Sequence, residues 1–84
     1  MIYAGIDYSM TSPAMCLYNE STGNFSFENC TLHYLTQLKK YDVSFKNVNG
    51  HYFEYQNEME RYDIISSFFI DRILELDEET KVFI

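Results

Sequence analysis

The sequence predicts an α/β fold with the element order β-β-β-α-β, and three observations carry that reading. The first part of the chain alternates apolar and polar residues in short runs broken by turn residues. A stretch from about Asn57 to Glu78 changes to a helical period. Lys81-Val82-Phe83-Ile84 then returns to strand character. The whole of residues 1–84 reads as a single domain, of a size that buries only roughly 60–65% of its unfolded surface. A two-lobed enzyme is excluded.

Ile2 to Tyr8 is the first strand. Ile2, Ala4 and Ile6 point one way, and Tyr3, Gly5 and Asp7 the other. Both sets are mostly apolar, which predicts burial on both faces. Ser9 to Pro13 is a turn, and Ala14 to Asn19 a second strand. Glu20-Ser21-Thr22-Gly23 is a hairpin turn with Gly where a positive φ is needed. Asn24 to Thr36 is a third strand. Its inward phase slips between Phe27 and Cys30, which predicts a bulge near Glu28 and Asn29. Asn49-Gly50, between Val43/Phe45/Val48 and Tyr52/Phe53/Tyr55, is a two-residue hairpin signal. In the helix, Tyr62, Ile65, Phe69, Ile73 and Leu76 form one stripe, widened by Met59, Ile64 and Phe68. Asp77-Glu78-Glu79-Thr80 ends it. The final strand opens with Val-Phe-Ile and stops, which leads us to expect the N-terminal part of a longer protein.

Composition narrows the function. Hydrophobic residues make up 46% and aromatics 18%, with one Pro, so disorder is not expected. No run approaches the ~18–20 apolar residues of a spanning helix, and no signal peptide is visible, so no membrane role is expected. Cys16 and Cys30 read as reduced thiols of a cytoplasmic protein. With His33 they give a spacing that is not a metal-ligand pattern. The net charge of −7 is concentrated between residues 54 and 79. Such a chain is repelled by phosphate backbones, which argues against a simple DNA-binding module. It does not exclude a nuclease whose acidic residues hold cations.

The element order has a mechanical consequence. Three antiparallel strands form a meander, the helix crosses back, and the fourth strand lies parallel beside the first. The end of that strand comes next to Asp7. A second carboxylate there would repel Asp7 unless a divalent cation sat between them. One or two Mg²⁺ so held would bind a phosphodiester and activate water.

Gly5-Ile6-Asp7-Tyr8-Ser9, followed by Thr11-Ser12-Pro13-Ala14 and a strand, resembles the opening of RuvC-like nucleases of the RNase H-like superfamily. It is most similar to the divergent RuvC-type Holliday-junction resolvases of phages. Glu60-Arg61-Tyr62-Asp63, leading into the helix, and Lys81-Val82-Phe83-Ile84 are similar to the same family. The resemblance covers most of the chain but only the first half of the family's domain. It implies an RNase H-like β-β-β-α-β half domain with Asp7 as catalytic metal ligand. The metal would be Mg²⁺ or Mn²⁺ in the full-length domain, the substrate branched or structured DNA, and the location the host cytoplasm for a phage protein. The family's next ligand, a Glu, falls at the position after Ile84. The implied function is therefore an N-terminal fragment of a metal-dependent endonuclease, inactive alone.

Other residues carry two readings each. Ser9, Thr11 and Ser12 either touch a phosphate or bond their own turn. His33 and His51 are candidate general bases without a nucleophile beside them, or simply strand and surface residues. Lys39, Lys40 and Lys46, next to Tyr41 and Phe45, form a phosphate-contacting patch or a solvated loop. Glu75, Asp77, Glu78 and Glu79 read as a solvated helix end. A sugar-kinase-like phosphate loop is disfavoured, since no Gly-rich turn follows Asp7. The alternative to a nuclease is a complete, small, acidic protein-interaction module with a nuclease-derived fold. Eight Tyr and seven Phe exceed what a core of this size hides. With the second half of a domain missing, the edge of the first strand and one sheet face lose their cover and are expected to associate, as a homodimer or by strand exchange.

Overall fold

Among the described residues, alternation in the strands and an amphipathic helix settle into a six-stranded mixed sheet with one helix on one face. The computed structural model describes residues 1–9, 12–20, 29–76 and 79–84. The strands are β1 (Ile2–Asp7), β2 (Ala14–Asn19), β3 (Cys30–Thr36), β4 (Ser44–Phe45), β5 (Val48–Tyr52) and β6 (Thr80–Phe83). The helix α1 spans Glu58–Leu74. The sheet order is β4-β5-β3-β2-β1-β6.

β1, β2 and β3 form the expected antiparallel meander, with Ile2 opposite Asn19 and Asp7 opposite Ala14. Across the turn after β1, the Ser12 amide donates to Ser9 Oγ at 3.0 Å, and Ser12 Oγ donates to the Leu35 carbonyl at 3.3 Å. Ser12 is thereby tied to β3. β6 pairs parallel with β1, with Ile2 level with Thr80 and Gly5 level with Phe83. β1 is therefore an inner strand, and the sheet edges are β4 and β6 rather than β1.

A hairpin exists in the 43–55 region, but not with the expected turn. The strands β4 and β5 meet around Lys46 and Asn47, and Lys46 takes the left-handed φ of 55°. Asn49 and Gly50 lie inside β5, which runs parallel to β3. Gly50 is required there for close approach rather than for turning. Its amide donates to the Val43 carbonyl at 2.8 Å. A Cβ on it would collide with the Tyr41 carbonyl and the Tyr34 ring, whose hydroxyl donates to that same carbonyl at 2.8 Å.

The helix begins where expected. Asn57 caps it, its Oδ1 accepting from the Glu60 amide at 2.9 Å, and Glu58 and Glu60 occupy the positive first turn. It stops at Leu74, short of Glu78. Ile65 and Phe69 are buried against the sheet, with Ile64, Phe68, Ile73 and Leu76 beside them. The stripe, however, runs through Arg61, 2% exposed, and not through Tyr62, 57% exposed, or Met59, 83% exposed. The Arg61 guanidinium is 3.1 Å from Glu58 and 5.0 Å from the Tyr62 ring centroid, so its stem fills the apolar face while its charge is paired.

The core lies between α1 and Ile2, Ala4, Met15, Leu17, Leu35 and Phe53. Burial of β1 on both faces does not hold. Ile2 and Ala4 are buried, but Gly5 and Asp7 on the other side are exposed, because α1 covers one face. No helix among the described residues is long and apolar enough to cross a membrane. The turn at Ser21-Thr22-Gly23, the bulge at Glu28, Thr11 and the acidic pair Asp77-Glu78 lie outside the described residues.

Candidate functional site

Asp7 closes β1 on the face that α1 does not cover, next to the C-terminal end of β6. It borders a shallow, largely apolar hollow of about 380 Å³ together with Gly5, Cys16, Leu32, Phe83 and Ile84. The alternation of β1 puts Asp7 on the same side as Gly5, and the parallel register puts Phe83 beside Gly5. No group of three or more His, Cys, Asp or Glu able to hold a metal exists among the described residues. Asp7 thus supplies one carboxylate. These residues do not build a complete Mg²⁺ centre, because that ion needs several converging oxygens to give up its waters.

Ser9 and Ser12 stand close to Asp7 in sequence; Ser9 Oγ accepts from the Ser12 amide, and Ser12 Oγ donates to the Leu35 carbonyl on β3. Cys16, in the hollow, is a free thiol. Burial, and then the neighbouring Cys30 thiol, push its pKa up, so it stays protonated and a poor nucleophile. The lysines each lie over an aromatic ring: Lys39 on Tyr52 at 5.4 Å, Lys40 on Tyr41 at 5.1 Å and Lys46 on Phe45 at 5.4 Å.

The opposite face holds a second constellation. His33 and His51 are 18 residues apart, yet β3 and β5 bring them together, with His33 Nδ1 3.2 Å from His51 Nε2. Their rings stack at 5.4 Å, and the Phe68 ring lies 4.7 Å from His51 and 6.2 Å from His33. Both line a cavity of about 480 Å³ with Arg72 and Glu75. Arg72 donates to both Glu75 oxygens, at 3.0 and 3.2 Å. Burial pulls both histidines below their ordinary pKa of 6.5. For His33 the neighbouring His51 and Arg72 add to the fall and Glu75 opposes it. For His51 Arg72 adds and Asp42 opposes. The arrangement therefore favours two neutral imidazoles sharing one hydrogen bond.

Sequence reasoning missed this pair. No local spacing signals it, and reading Asn49-Gly50 as a turn displaced His51 from the strand that carries it. No protein-family model, no curated protein and no solved structure matches this chain.

Proposed function

We propose that this chain carries the first metal-binding carboxylate, Asp7, of a RuvC-type endonuclease that acts on branched or structured DNA with Mg²⁺ or Mn²⁺. In this reading residues 1–84 are the N-terminal part of an RNase H-like domain. The observation that supports it is the parallel pairing of β6 with β1, which sets the C-terminal ends of both strands side by side with Asp7. The remaining ligands come from outside these residues, so the chain alone does not cleave. Lys39, Lys40 and Lys46, each beside an aromatic ring, suit contact with phosphates and bases.

Mn²⁺ line broadening in amide NMR spectra tests the role of Asp7. Broadening centred on Asp7 and Ile84, absent in Asp7→Asn, is expected. Equal broadening in Asp7→Asn overturns the assignment. A four-way DNA junction is expected to stay intact with the pure chain. Its cleavage, lost in Asp7→Asn, overturns the single-carboxylate reading.

The uncovered face favours a second reading, a non-catalytic module that associates through that surface. Phe83 is 58% exposed and stacks on Tyr3 at 6.4 Å, while Tyr3 stacks on Tyr18 at 6.3 Å. β6, the last strand of the sheet among the described residues, adjoins this aromatic row. Sedimentation at roughly 0.1 mM is expected to show dimers, formed face to face or by strand exchange, that Phe83→Ser weakens. A monomer at that concentration rules this reading out.

A further inference from the structure

We propose that His33 and His51 form a two-histidine clamp for a transition-metal dication of the zinc class, with Nδ1 of His33 and Nε2 of His51 as the ligands. The spacing fits. Two zinc–nitrogen bonds of ~2.0–2.1 Å at a tetrahedral angle span about 3.3 Å. The two ring nitrogens stand 3.2 Å apart. A shared hydrogen bond has the same length, so the distance alone does not distinguish them.

Three further features favour the metal. The ligands sit on paired strands, not on loops: Leu35 is level with His51 and His33 with Asn49, which makes the histidines diagonal neighbours on one face. Phe68 lies against both rings and limits their rotation. The cavity of about 480 Å³ beside them gives room for water in the remaining coordination positions, and the Arg72 guanidinium on its wall is compensated by Glu75, which accepts from it at 3.0 and 3.2 Å. Metal binding replaces the shared hydrogen bond: each imidazole then carries its proton on the other ring nitrogen, His33 Nε2 and His51 Nδ1. The described residues hold no ready group of three His, Cys, Asp or Glu. The clamp is therefore a two-point chelate completed by water, weaker than a four-ligand structural site. It lies on the helix-covered face, across the sheet from the Asp7 hollow, and so is independent of any Mg²⁺ chemistry there.

Zn²⁺ titration of the full chain, read by calorimetry and by ¹⁵N shifts of the histidine rings, tests this. One equivalent is expected to move His33 Nδ1 and His51 Nε2 together. His33→Gln and His51→Gln should each weaken binding by about tenfold or more. Asp7→Asn and a Cys16→Ser/Cys30→Ser double variant should leave it unchanged. Amide spectra recorded without metal establish that each variant is folded. If a glutamine variant does not fold, the ring-nitrogen shifts of the unaltered chain decide. The proposal is overturned by absence of binding at about 1 mM Zn²⁺. It is equally overturned by ring nitrogens unmoved at saturation, or by affinity lost in the cysteine variant but kept in the histidine variants.

Discussion

Beneath α1 the sheet presents Met15, 0% exposed, to Phe69, 1% exposed, whereas across the same strands Phe83 keeps 58% of its surface in solvent. The two faces come from one set of alternating residues. What separates them is the presence of a single amphipathic helix. On the covered face each methylene is surrounded by other side chains, and its loss leaves a void. On the open face a lost side chain is replaced by water. The covered face therefore holds the fold together, and the open face contributes less to it.

The largest expected effect tests this division directly. Phe69→Ala should lower stability to denaturant by about 3–5 kcal/mol, since it opens a cavity at the centre of the helix–sheet contact. Phe83→Ala should change it by less than about 1 kcal/mol. Equal losses would break the distinction between the faces. A middle-sized effect sharpens it. Gly50→Ala should destabilise by about 1–3 kcal/mol, because its methyl group meets the Tyr34 ring and the Tyr41 carbonyl. That result would show the far end of the open face to be closed by its own tyrosine. The smallest effect lies in the covered cavity. His33 and His51 both hold folded pKa values below 6.5, so near and under that pH the unfolded chain binds more protons than the folded one. Stability should be level above about pH 6.5, fall as the pH drops below it, and level off once the folded histidines protonate. Arg72 steepens this dependence, while Glu75 and Asp42 moderate it. Thermal melts between pH 5 and 8 should show the decline, flattened in a His33→Gln/His51→Gln double variant.

Much of the frame was legible before the structure. Period-two runs located β1 and β2, the helical period located α1, and Val-Phe-Ile located β6 beside β1. These signals are local, and the core reads them as burial. What escaped depended on contacts distant in sequence. Gly50 was misread because a glycine required by a neighbouring tyrosine resembles one required by a turn. Arg61 was left out of the buried stripe because its charge hid its aliphatic stem, which is buried while Glu58 pairs the guanidinium. The histidine pair needed the parallel registration of β3 and β5, which no periodicity encodes. For Asp7 the position at a strand end was legible from alternation alone, while a full ligand set was not, since the described residues contribute one carboxylate.

The parallel marriage of β1 and β6 also orders the folding of the molecule in time. β1, β2 and β3 associate through neighbouring segments, but the Ile2 amide meets the Glu79 carbonyl, at 3.0 Å, only after nearly the whole chain has been brought into a loop. Closing a loop that long carries the greatest entropic penalty of any pairing in the sheet. β6, at the sheet edge, is therefore expected to dock late, and its amides should exchange with solvent deuterium well ahead of those in β2.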